Sequence, residues 1–261
     1  MNARTAGKVV SAHPAQPGDS CGRIAGRVEG FDWSDIATQL DAHGNARLPG
    51  LLSRDQCDAL AALYDDEARH RSRVVMARHG FGRGEYRYFR YPLPAPVQAL
   101  RESLYPCLVP VANRWNLAMK VHVAYPGAHA DFIDRCHAAG QSRPTPLLLR
   151  YGEGDYNCLH QDLYGEHVFP LQVAVLLSQP GRECDGGDFE GGEFVLTEQR
   201  PRMQSRTEVV PLQQGDAVVF AVRQRPLPGA RGNYRVNMRH GVSRLRRGRR
   251  HALGVIFHDA A

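Results

Sequence analysis

Eight short runs fill the second half of the chain, and they constrain its fold more than any other feature. They read "KVHVAY", "PLLLRY", "LQVAVLLS", "GEFVLT", "TEVVPL", "DAVVFAV", "YRVNMRHGV" and "HALGVIF". Each is rich in β-branched residues, and Gly, Pro, Asp or Asn clusters separate them. A series of this kind, with no long helical period between its members, predicts an antiparallel sandwich or jelly roll rather than a parallel sheet. With 43% hydrophobic residues in 261, the chain has enough apolar side chains for one sizeable core.

Upstream the texture differs. Residues 1–28 are rich in Gly, Ala, Ser and Pro without periodicity, and read as a flexible N-terminal tail. Residues 29–118 read as a mainly helical support. Asp32 and Ser53 are placed as N-caps, and "PAPVQALRESLYPCLVPVANRWN" predicts a helix interrupted or kinked at Pro106 and Pro110. The β core is expected over 119–261, giving an α+β chain.

Composition narrows the setting. A net charge of +6, almost all from arginine, permits an acidic partner without demanding one. The six cysteines are scattered with no CxxC pair, unlike a zinc site or a disulfide framework, so reduced thiols in a cytoplasmic protein are expected. There is no run of eighteen apolar residues and no signal-peptide core, so no membrane partner is expected.

The stretch "LRYGEGDYNCLHQDLYGEHVF" carries the chemistry. On a strand, His160 and Asp162 point the same way and Gln161 points away. By itself an HxD pair is commonplace. His240, on a late strand, supplies a third ligand, and two histidines with one carboxylate make the facial triad of non-haem Fe(II) oxygenases. Ten residues further on, a turn at Gly248 returns the next strand beside that of His240 and brings Arg250 near the metal, suited to bind an organic acid. Alternation groups Arg250 with Ala252, Gly254 and Ile256, while Arg244, Arg246, Arg247 and Arg249 read as solvated or outward-facing. Tyr151 is either a hydroxyl donor to the same acid or a half-buried core residue, and Glu193 reads as structural.

"RYGEGDYNCLHQD", "GGEFVLT", "PLQQGDAVVF" and "MRHGVSRLRRGRRHALGVIFHD" together resemble the Fe(II)/2-oxoglutarate-dependent dioxygenases in their prolyl-hydroxylase-like layout. The resemblance spans about residues 119 to 260. It implies a double-stranded β-helix, with iron held by His160, Asp162 and His240. It further implies that Arg250, helped by Tyr151, holds the distal carboxylate of 2-oxoglutarate, and that O2 is the co-oxidant. Decarboxylation to succinate is then coupled to substrate hydroxylation.

More narrowly, the chain resembles a bacterial group predicted to demethylate damaged DNA bases oxidatively. It lacks the Asn-x-Thr-x-Arg element that alkylation-repair dioxygenases carry after the distal histidine. The segment "GRGEYRYFRYPLP" interleaves arginines with aromatics, so Arg87, Tyr88, Arg90 and Tyr91 are candidate contacts to DNA or RNA; the plainer reading is a strand whose aromatics are core. Alternatives are a hydroxylase of a protein side chain or small metabolite, and a non-catalytic jelly-roll binding module.

Overall fold

The computed structural model describes residues 17–261 apart from Arg231. Its helices are α1 (Pro17–Glu29), α2 (Trp33–His43), α3 (Arg54–Ala62), α4 (Ala95–Ala118) and α5 (His129–Ala138). The first strands are β1 (Asn45–Leu48), β2 (His70–Val75), β3 (Gly82–Arg83) and β4 (Glu85–Phe89). After α5 come β5 (Leu147–Tyr151), β6 (Tyr156–His160), β7 (Leu171–Leu176) and β8 (Phe189–Gly191). Then follow β9 (Phe194–Gln199), β10 (Arg206–Val210), β11 (Ala217–Ala221) and β12 (Gln224–Gly229). The last are β13 (Gly232–Val242), β14 (Leu245–Gly248) and β15 (Arg250–Val255).

Two antiparallel sheets face each other. The larger runs β1-β11-β7-β15-β5-β4-β2; the smaller runs β10-β9-β13-β6-β3, with β12 on the side of β13. Strand β11 shows why its sequence is apolar at every position. Val218 and Phe220 fill the space between the sheets with Phe194, Leu196 and Tyr151, while Ala217, Val219 and Ala221 face the helices. Both faces are covered, so the alternation of a half-solvated strand disappears. Each such Val or Phe contributes about 1.5–3 kcal/mol by leaving water. This is the expected jelly roll with a helical layer on one side.

Several expectations need correction. Residues 17–28 are not tail: they lie in α1, whose Ile24 and Val28 are buried in the core. The rest of the expected tail, residues 1–16, lies outside the described residues. The segment expected to be mainly helical, 29–118, also carries strands: β1, β2 and β4 join the large sheet and β3 the small one. A boundary at 119 therefore cuts through both sheets.

At the prolines the helix is not interrupted, and one expected strand does not form. Helix α4 continues through Pro106 and Pro110. Both prolines sit on its exposed face while Leu104, Tyr105, Leu108 and Trp115 pack inward, so the carbonyls deprived of a helical donor lie on the solvent side. "KVHVAY" forms no strand, because α4 satisfies its backbone instead. Asn116 donates to the Val123 carbonyl (2.8 Å), and Asn113 both donates to the Tyr125 carbonyl (3.0 Å) and accepts from its N–H (2.8 Å). The caps do form: Asp32 accepts from the Ser34 and Asp35 amides, and Ser53 makes a capping box with Gln56.

Candidate metal and co-substrate site

His160 is the last residue of β6 and lies opposite His240 in the β6–β13 register. A register shift follows between His240 and Val242, next to Gly241. This irregularity lets Asn157 and His160 line the same cavity, the kind of re-aiming that bulges provide beside functional sites. Asp162 lies beyond the strand end rather than on it, yet its carboxylate turns back between the imidazoles. Oδ1 is 3.6 Å from His160 Nε2, and Oδ2 is 3.4 Å from His240 Nε2. One ligand atom from each of the three lies within 4.8 Å of the others. Gln161 points its amide away, donating to the Met238 carbonyl at 2.8 Å.

The surroundings tune these groups for a cation. His160 Nδ1 lies 2.7 Å from the Cys158 carbonyl, a bond that needs Nδ1–H and leaves Nε2 with its lone pair toward Asp162. Burial, then the neighbouring His240, lowers the His160 pKa and favours the neutral imidazole a metal requires. Burial pushes the Asp162 carboxyl up, but His240, His160 and the Tyr164 hydroxyl together outweigh it and hold it well below the usual range.

Tyr164 donates to Asp162 Oδ1 at 2.7 Å and accepts from Tyr88 at 2.9 Å. Gln141, buried, in turn binds this loop through the carbonyls of Tyr164 and His167 and the His167 amide. Neither Tyr164 nor Gln141 was singled out from the sequence. Only the short "DLY" spacing hints at the first, and the second lies outside every motif.

Arg250 reaches the same cavity by a route other than the expected one. The turn at Gly248 (φ 80°) sends the chain not back beside β13 but into the opposite sheet, where β15 pairs with β5 and β7. Arg250 then stands directly across from Tyr151 in the β5–β15 register. It is 3% exposed, while Arg244, Arg246, Arg247 and Arg249 are exposed as expected. Its Nε and Nη1, the Tyr151 hydroxyl and Gln172 Oε1 are buried without a protein partner. Burial lowers the Arg250 pKa and raises that of Tyr151. Gly192 leaves room for the guanidinium arm, since a Cβ there would sit 3.1 Å from Arg250 Cδ. Glu193 stays outside the cluster, bonded to Ser243 and 3.5 Å from Arg246.

The cavity holding all five predicted residues encloses about 220 Å³ and is walled mainly by apolar side chains, among them Leu147, Leu149, Phe194 and Val242. The donor set fits a divalent iron: two imidazoles and one carboxylate, with no fourth protein ligand in the cluster among the described residues. The unpaired guanidinium and hydroxyl fit a carboxylate, because a cation stripped of water is costly unless an anion meets it.

The four candidate nucleic-acid contacts do not gather at one surface. Arg87 is buried, 5.0 Å from the Tyr64 ring and 3.5 Å from Glu67. Tyr88 is buried and bonded to Tyr164, and the Tyr91 hydroxyl donates to Asp259 at 2.7 Å. Of the four, Arg90 alone is exposed with no side-chain partner among the described residues. Tyr88 is thus taken up by the interior, and Tyr91, though 40% exposed, is tied by its hydroxyl to Asp259; β4 does not alternate, since Arg87, Tyr88 and Phe89 are all buried.

No helix of the described residues is long and apolar enough to cross a membrane. Two uncharacterized proteins from strains of Mycobacterium tuberculosis are 48% identical over 173 residues, covering 66% of this chain and 72% of theirs. Among solved structures, a Pseudomonas putida prolyl-4-hydroxylase superposes with a TM-score of 0.50 at 16% identity, covering 85% of this chain and 96% of that one. A Trichoplax adhaerens prolyl hydroxylase, solved with a hypoxia-inducible-factor peptide, gives 0.52 at 12% identity and covers 89% and 90%. Identities this low speak for the fold alone. The Oxygenase-NA family model, described as "oxygenase, catalysing oxidative methylation of damaged DNA", matches residues 84–260, and the chain therefore belongs to that family of oxygenases.

Proposed function

We propose that the protein is an Fe(II)- and 2-oxoglutarate-dependent dioxygenase acting on a damaged base of DNA or RNA. His160, Asp162 and His240 would hold the iron, and Arg250 with Tyr151 the distal carboxylate of the keto acid. The observation carrying this reading is the meeting of two incomplete sets in one cavity: a His-Asp-His cluster and a buried, unpaired Arg-Tyr pair. A non-catalytic binding module has no use for both. The family description, which names damaged DNA, supports the nucleic-acid substrate class.

When bound, iron and 2-oxoglutarate supply the oxidising power, coupling loss of CO2 from the keto acid to insertion of one oxygen atom of O2 into a substrate C–H bond. The protein's own groups orient and exclude. Arg250 and Tyr151, facing each other across β15 and β5, fix one end of the co-substrate. The Cys158 carbonyl fixes the His160 tautomer, and the Tyr164 hydroxyl fixes which Asp162 oxygen is free. Leu147, Leu149, Phe194 and Val242 keep the interior dry, which strengthens each of these interactions. On an N-methylated base the hydroxylated carbon leaves as formaldehyde and frees the base. A cytoplasmic setting suits the six free cysteines.

The test is turnover with Fe(II), 2-oxoglutarate and O2, offering methylated oligonucleotides, peptides and small metabolites in turn. The proposal expects succinate and formaldehyde in step with the oligonucleotides. Hydroxylation of a peptide or a metabolite alone would replace the substrate assignment and leave the cofactor chemistry standing.

A further inference from the structure

Immediately upstream of the arginine-aromatic segment, and overlapping its first three residues, lies "RHGFGRG" (78–84), which no role described so far uses. It leads from β2 through a tight turn into the short strand β3, which pairs with β6 beside the cavity. Phe81 lines that cavity together with His160, Asp162 and Tyr86, and yet is 47% exposed. The His79 ring lies behind it, nearly parallel, with centroids 5.3 Å apart and 23° between planes.

The loop is held. The Phe81 N–H donates to the Met76 carbonyl (3.2 Å), and its carbonyl accepts from Cys158 N–H (2.9 Å). Gly82, at φ 123°, presses so close to β6 that a Cβ would lie 2.4 Å from the Tyr156 carbonyl oxygen. The ring is thus presented from pinned backbone, and docking against it forfeits little chain entropy. Arg78 is exposed with no ion pair among the described residues, and Arg83 is 60% exposed with a long 3.7 Å contact to Asp155.

Resting on the function proposed above, we infer that Phe81, backed by His79, is the stacking platform for an unpaired nucleobase entering the cavity, with Arg78 and Arg83 taking the adjoining phosphates. A flat apolar face flanked in sequence by two exposed cations matches the two parts of a single-stranded nucleic acid, its bases and its charged backbone. A base must leave its duplex stack before its ring atoms can reach a buried metal, and a second π surface at the entrance compensates part of that loss.

Binding of short methylated single-stranded oligonucleotides, followed by fluorescence anisotropy in Fe(II)- and 2-oxoglutarate-loaded protein without O2, tests this. Phe81→Ala and Phe81→Leu should both weaken binding roughly 5- to 150-fold, the range for one lost stacked base, while Phe81→Trp should restore it. Thermal melting shows that each variant is folded. If Phe81→Leu binds like the unchanged protein, the ring is only an apolar plug and the inference falls. Preferential binding of a peptide over the oligonucleotide would overturn it too. Failure of the unchanged protein to bind 2-oxoglutarate at all would instead sink the proposed function beneath it.

Discussion

Two buried arginines of this protein look alike by exposure and differ in everything else. Arg101 (1% exposed) donates to the Asp259 carboxylate at 2.9 Å and to the Tyr91 hydroxyl at 3.2 Å, and His137 completes the group from the other carboxylate oxygen. Arg250 (3% exposed) has aromatic rings near it, Tyr151 at 5.5 Å and Phe189 at 5.9 Å, but no acceptor for Nε or Nη1. The first has its anion built in and ties α4 to the chain's C-terminal end. The second is a cation whose anion must come from outside. Burial alone does not mark a functional arginine; burial without a partner, inside a cavity, does.

The sharpest way to break this comparison is to remove each guanidinium. Arg101→Met strands Asp259 without its main counter-charge and should destabilise the fold by about 3–5 kcal/mol in urea unfolding. Arg250→Met should leave the ligand-free protein as stable as before or more so, since it removes an unpaired buried cation. The same change should weaken 2-oxoglutarate binding at least about 30-fold, the effect of truncating one partner of a buried charge pair. Equal destabilisation by the two substitutions would erase the distinction.

Smaller effects sharpen it. Tyr164→Phe frees the Asp162 oxygen it now holds, and should lower Fe(II) affinity about 10- to 100-fold by calorimetric titration. Tyr151→Phe removes one hydroxyl of the co-substrate pair and should cost about 1–2 kcal/mol in 2-oxoglutarate binding, with little change of melting temperature, because among the described residues only the Asn157 side chain acts on that hydroxyl as a hydrogen-bonding group. The smallest effect concerns pH. Burial pushes the Asp259 carboxyl up, but Arg101, His137 and Tyr91 hold it below its ordinary 3.8. A carboxylate depressed in the folded state stabilises above its unfolded pKa, and that stability is lost as pH falls through the folded value. Melting followed below pH 4 should therefore drop more steeply in the unchanged protein than in Asp259→Asn.

The same contrast explains what could be read from the sequence. Strands β5, β7, β9, β11, β13 and β15 are legible because burial against the sheet layers selects short β-branched runs, and the edge strand β10, largely exposed, is legible from its own β-branched run and its Pro-marked end. His160, Asp162, His240, Arg250 and Tyr151 were legible as a group because their types and order suit one chemistry, although the path that brings Arg250 to the cavity was misjudged. What was missed depends on partners distant in the chain. The backbone of 121–125 is satisfied by Asn113 and Asn116, and β1 pairs with β11 some 170 residues away. Tyr88 serves Tyr164 across 76 positions. Such pairings leave no period in the local sequence, whereas the plainer reading of β4, a strand whose aromatics are core, is the one the structure bears out for Tyr88 and Phe89.

Anaerobic titration of Fe(II) and 2-oxoglutarate, read as the visible metal-to-ligand charge-transfer band, bears most directly on the pairing of the two half-sites. The unchanged protein should develop the band, His160→Ala should lose it, and Arg250→Met should need at least about 30-fold more keto acid to reach it. A protein that binds iron yet shows no band at any 2-oxoglutarate concentration, or a band indifferent to Arg250, would contradict the account.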